Sequence, residues 1–150
     1  MALEDLYREV ILDHYRNPKN RGRLESADAS AEGVNPLCGD EINLDLRFED
    51  GRVAEVGVDG QGCSISQASA SMMTEAIKGK TKDEILDLLA RFRGMMSLEG
   101  GVDPGIDPER PGEALGDMEA LQGVRQYPVR IKCAALGWTV LQDALSPGRT

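Results

Sequence analysis

Between Glu41 and Phe48 polar and apolar residues alternate without a break, so Ile42, Leu44, Leu46 and Phe48 share one face of a strand whose other face meets polar surroundings. Glu49, Asp50 and Gly51 supply a turn. Val53 to Val58 reads as the next strand, and the two form an antiparallel hairpin that takes a further strand from the segment between Leu24 and Val34. After Gly60, Gln61 and Gly62 the period changes to that of a helix, with Ile65, Ala68, Met72, Ala76 and Ile77 on one face and Gly79 at its end. Thr81 and Glu84 form a capping-box pattern for another helix, whose stripe is Ile85, Leu88, Leu89 and Phe92 and whose stop is Gly94. A last helix starts near Pro128 or Val129 and presents Ile131, Ala134, Ala135, Trp138, Leu141 and Leu145. One more helix, from Leu3 to Arg16, precedes the strands and stops at Asn17 and Pro18. Strands followed by helices predict an α+β fold: a small antiparallel sheet of about three strands with helices packed on one face.

A chain of 150 residues suits one domain, 1–150, with a core that needs no disulfide staples. An acidic, Gly/Pro-rich loop insertion is expected around 94–116, because Gly100 to Gly116 is rich in turn residues and no second core follows it. Acidic residues outnumber basic ones by 26 to 17, a formal charge of −9 that repels phosphate backbones and anionic lipid. The expected partners therefore include no nucleic acid and no membrane. Arg125, Arg130 and Lys132 lie close together with few acids between them and could form a local basic patch. No apolar run approaches the roughly 20 residues of a membrane span, and the acidic, amphipathic start is unlike a secretory signal, so the chain reads as cytoplasmic.

Three cysteines cannot all pair within one chain, which leaves metal binding, reactivity or plain burial. Cys38 lies in the turn-forming string Asn35, Pro36, Leu37, Cys38, Gly39, Asp40, and this puts it at a loop tip. Cys63 and Cys133 fall at expected helix starts, where unpaired N–H groups and the positive end of the helix dipole favour a thiolate. Element ends can meet at one edge of a domain, and three thiolates with the Asp40 carboxylate would make a tetrahedral zinc site. Spacing alone leaves core burial open as the other reading, since there is no Cys-x-x-Cys pair. Gly39, Gly60 and Gly62 beside the cysteines suit tight turns at a site better than a packed interior. His14, within the first helix, reads as structural, and Met72, Met73, Met95 and Met96 as packing. A lone histidine and the absence of a Gly-x-Ser-x-Gly string give a catalytic triad no support, and no Gly-rich stretch ends in the Lys-Ser/Thr of a phosphate loop.

At these residues the chain closely resembles the U-type iron-sulfur cluster assembly scaffold family, which comprises IscU, SufU and the N-terminal part of NifU. The resemblance runs through Asp13 to Pro18, Asn35 to Asp40, Gly60 to Ser66, the Ala68 to Met72 string, and Lys132, Cys133 and Ala134, with Trp138 beyond. Three departures look like SufU. Lys132 stands where IscU carries a histidine before its last cysteine, Tyr127-Pro128-Val129-Arg130 stands where IscU carries the Leu-Pro-Pro-Val-Lys string read by its Hsp70 chaperone, and the acidic insertion resembles an extra SufU segment.

The resemblance implies a partnership with a pyridoxal-phosphate cysteine desulfurase of the SufS/IscS type, which hands persulfide sulfur to this chain, and with downstream assembly or recipient proteins. It implies Zn2+ held by Cys38, Asp40, Cys63 and Cys133, with a transient [2Fe–2S] cluster or iron on the cysteines as the alternative cargo. Analogy with SufU makes Cys38 the sulfur acceptor and analogy with IscU makes it Cys133; loop exposure favours Cys38. Two variants stay open, a [2Fe–2S] scaffold and a zinc-dependent sulfurtransferase. A structural zinc module that only docks partners is the rival from another class. Lys132 has two readings as well: an ammonium that offsets the negative charge of the ligand set, or an exposed lysine of the helix's first turn.

Overall fold

The computed structural model describes residues 3–36 and 39–146. Strands β1 (Ala29–Asn35), β2 (Asp40–Glu49) and β3 (Arg52–Gln61) form one antiparallel sheet in the order β1-β2-β3. Asp50 and Gly51 both have positive φ, 54° and 77°, the two-residue turn whose twist matches that of the strands it joins. The alternation of β2 is realised: Ile42, Leu44 and Leu46 are fully buried. A bulge between Arg47 and Phe48 shifts the register, and Phe48 is only half-buried against the core.

Helices α2 (Ser64–Ile77), α3 (Lys82–Met95) and α4 (Pro128–Leu145), with Met118, Ala120, Leu121 and Val124, supply most of the rest of the core, and α1 (Leu3–Arg16) packs the partly buried Tyr7, Val10 and Ile11 against it. The long α4 packs on β1, β2 and α2, while α1 packs on α2 and on a 3-10 helix, Gly116–Gln126. Alanines and serines of α2 let α4 approach closely: Ser69 Oγ donates to the Ala134 carbonyl at 2.6 Å and accepts from Trp138 Nε1 at 3.2 Å. The Trp138 ring stacks on Phe92, centroids 4.5 Å apart, and so ties α3 to the same core. No helix among the described residues is long and apolar enough to cross a membrane.

One expectation changes. Gly94 does not stop α3, which runs on to Met95; a Cβ at Gly94 would lie 1.6 Å from the Val102 carbonyl oxygen, so the missing side chain makes room for the returning chain. The segment that follows, 101–115, is turn and coil and mostly exposed, and hydrogen bonds fasten it to the body of the fold. Arg91 donates to the carbonyls of Pro104 and Ala114, and the buried Glu119 carboxylate accepts from the N–H groups of Gly112, Ala114 and Leu115. The 3-10 helix itself is not apparent from periodicity, because its buried residues include that glutamate.

His14 is structural, as expected. Its ring is buried, with Nδ1 2.7 Å from Ser71 Oγ and Nε2 2.8 Å from Asp117 Oδ2, and the tautomer protonated on Nε2 satisfies both. It joins α1, α2 and the 3-10 helix.

Candidate metal centre

Asp40 opens β2 opposite Asn35, the last residue of β1, and its side chain points inward with 1% of its surface exposed. One carboxylate oxygen, Oδ1, accepts the Cys63 N–H at 2.8 Å; the other, Oδ2, faces Cys63 Sγ at 3.9 Å. The carboxylate is thus anchored through one oxygen and offers the second to whatever the thiol offers. Cys63 is the N-cap of α2, with its sulfur accepting the Ser66 N–H at 3.5 Å. Gly62 makes this approach possible. Its φ of 154° suits glycine, and a Cβ there would lie 2.4 Å from Asp40 Oδ1 and 2.7 Å from Ser66 Oγ.

Cys133 arrives from the opposite side on α4. It sits in the second turn, five residues after Pro128, rather than at the helix start, so the dipole and the open N–H groups of the terminus do not act on it. Its surroundings are instead side-chain and carbonyl groups: Asn35 Nδ2 lies 3.9 Å from Sγ, and Sγ is 3.9 Å from the Val129 carbonyl. Packing of α4 across β1 brings it beside the strand end that carries Asn35.

The ligand atoms of Asp40, Cys63 and Cys133 lie within 4.8 Å of one another. Around a tetrahedral zinc with bonds of about 2.0–2.3 Å, donor atoms stand roughly 3.3–3.8 Å apart, so about 1 Å of contraction would close this set on one ion. Two soft sulfurs and one carboxylate oxygen are donors that zinc accepts, and the residues fit it. Cys38, the fourth predicted ligand, lies outside the described residues, as does Leu37.

The cation of the site is Arg130. The negative charge of a Cys63 thiolate, with Cys133 beside it, holds its guanidinium's pKa above the ordinary arginine value. Lys132 is exposed on the same helix. A spacing signal for Arg130 exists in the sequence, since it precedes Cys133 by three residues and an i, i+3 pair shares a helix face. Asn35, Ser66 and Gly62 are also outside the predicted ligand set, although each lies in a string that carries a ligand.

Residues 6–134 match the family described as the NifU-like N terminal domain. The chain belongs to that family. Similar members include the zinc-dependent sulfurtransferase SufU of Bacillus subtilis, 45% identical over 144 residues that cover 96% of this chain and 92% of the relative. The iron-sulfur cluster assembly scaffold protein IscU of Streptococcus pyogenes is 38% identical over 95% of this chain and 84% of its own length. Among solved structures, the SUF-system SufU protein of Fervidobacterium Islandicum AW-1 superposes with a TM-score of 0.80 at 36% identity, covering 97% of this chain and all of that one. The NifU-like domain fold and the iron-sulfur assembly scaffold family follow for this chain, together with the three-stranded antiparallel sheet and its helices.

Proposed function

We propose that this NifU-like domain accepts persulfide sulfur from a pyridoxal-phosphate cysteine desulfurase and passes it into iron-sulfur cluster assembly, with zinc held by Cys38, Asp40, Cys63 and Cys133. The observation that carries the reading is the convergence of Asp40, Cys63 and Cys133 from three separate elements within 4.8 Å. A purely structural zinc would serve a fold short of core, and this chain has a continuous core from the sheet through α4. The zinc-dependent form of the activity is favoured by the SufU-named relative and by Lys132 in place of the histidine beside the last cysteine. The cytoplasm, where thiols stay reduced, is the fitting compartment.

Zinc in this set would keep its thiolates ionised and leave the carboxylate, the harder donor, as its most exchangeable ligand. Transfer itself is a thiol–persulfide exchange. The Cys38 thiolate attacks the outer sulfur of the donor persulfide, a new S–S bond forms on Cys38, and the donor cysteine leaves as a thiolate with its electron pair. Arg130 beside Cys63 and Cys133 supplies positive charge where a set of three thiolates and one carboxylate around a divalent ion would carry about −2.

Incubation with a cysteine desulfurase and free cysteine, followed by mass spectrometry of the alkylated peptides, tests this. The expected result is one added sulfur atom on the Cys38 peptide, lost completely in Cys38→Ala while that variant keeps the parent's far-ultraviolet circular dichroism. Added sulfur only on Cys133 moves the acceptor there, and none on any cysteine refutes the reading.

A further inference from the structure

A groove of about 560 Å³ opens beside the metal centre, between α1 on one side and α2 with the 3-10 helix on the other. Ile11, Leu12, Ile65 and Val124 give it an apolar floor. Its lining includes Ser64, the residue after Cys63, and Arg130, three residues before Cys133 on α4, so the groove adjoins the metal centre. Tyr127 and Val129 extend that surface and expose 60% and 58% of their area, large values for apolar side chains.

The charge of the groove runs against that of the chain. Acids outnumber bases by 26 to 17 overall, yet the groove's lining contains two arginines, Arg8 and Arg130, and no acid. The nearby Glu119 carboxylate is buried and occupied by three backbone N–H groups. An apolar trough with a cation at the metal centre and another on α1 matches an acidic segment with apolar side chains.

We infer that this groove is the docking site for an acidic, apolar segment of the sulfur-donor protein, which seats there as its persulfide reaches the metal centre. The inference rests on the proposed sulfur-transfer reading and adds to it the surface and the chemistry of the contact. A second copy of this chain is the weaker occupant. It carries the same net charge of −9, and by covering the groove mouth it would close the site to any donor.

The test is the affinity of the zinc-loaded protein for a cysteine desulfurase, measured by calorimetry for the parent, Arg8→Glu, Ile11→Asp and Arg16→Glu. Arg8 is exposed and its replacement leaves the core alone; Arg16 is an exposed arginine of α1 outside the groove. The expected result is binding weakened at least about tenfold by Arg8→Glu and by Ile11→Asp and unchanged by Arg16→Glu, with zinc content equal in all four and the parent's affinity falling as salt rises. Parent binding matched by Arg8→Glu overturns the groove while leaving sulfur transfer standing. A parent that does not bind overturns both. A parent dimer that Arg8→Glu dissociates gives the groove to a second copy and overturns the donor assignment.

Discussion

Asp40 is where the strand hairpin and α2 are joined, through the 2.8 Å bond from the Cys63 N–H. In the proposed zinc site it would be the one oxygen donor among sulfurs and so the ligand most open to exchange, which predicts opposite outcomes for two substitutions. Asp40→Cys should retain zinc more tightly and release transferred sulfur more slowly; Asp40→Ala should lose zinc to a chelator faster. Zinc competition titrations and single-turnover sulfur transfer measure the two, and variants that match the parent in both would remove Asp40 from the ligand set. Gly62 offers an independent check. Gly62→Ala drives a methyl group toward Asp40 Oδ1 and Ser66 Oγ, whereas Gly51→Ala meets nothing within 4 Å although its φ is also positive, 77°. Both should lose about 1 kcal/mol or more to backbone strain. Only Gly62→Ala should also lose zinc affinity, by about tenfold or more, and equal zinc affinity in the two variants would contradict the crowding at Asp40.

At the scale of elements, β1, β2 and the Arg21 to Leu24 segment meet at Asp45, a buried carboxylate on the sheet face opposite Leu44 and Leu46. Burial acts most strongly on its pKa and raises it, yet hydrogen bonds from Arg23, from the Ser30 hydroxyl and from the Leu24 N–H, with the Arg23 charge, outweigh burial and hold it below the ordinary carboxylate value. A depressed folded-state pKa contributes stability above the unfolded value, near pH 4, and that contribution disappears as pH falls through the folded value. Asp45→Asn should therefore cost about 2 kcal/mol at pH 7 and less than that below about pH 3. Urea unfolding at both pH values decides it, and an equal loss at the two would show that charge is not what Asp45 contributes. This junction was hidden in the sequence because strict alternation assigns position 45 to the water-facing side, and only the return of Arg21 to Leu24 across the sheet covers it. Periodicity made β2, β3 and the four α-helices legible, since each carries apolar residues at its own repeat. It could not reveal the 3-10 helix, which is fastened by the polar Glu119, nor that Cys133 lies one turn inside α4. Asp40, Cys63 and Cys133 were legible as candidates from residue type and turn context. Arg130 took its role from a helix phase that depends on where α4 begins.

The whole molecule brings a strand end, a helix cap and the second turn of a long helix to one point, and a cationic, apolar groove leads to it on an otherwise acidic chain. Zinc bound to the folded chain and not to the unfolded one adds its binding energy to stability, so chelation should lower the melting temperature of the parent and leave that of Cys63→Ala nearly unmoved. A parent whose melting temperature ignores the chelator would separate the site from the metal. The most direct measurement is X-ray absorption at the zinc edge on the zinc-loaded protein. One zinc per chain is predicted, with three sulfurs at about 2.3 Å and one oxygen at roughly 2.0–2.2 Å. Asp40→Ala should keep the three sulfurs and exchange the protein oxygen for water. A shell of nitrogen and oxygen with fewer than two sulfurs would contradict the convergence of Cys38, Asp40, Cys63 and Cys133 on a single metal.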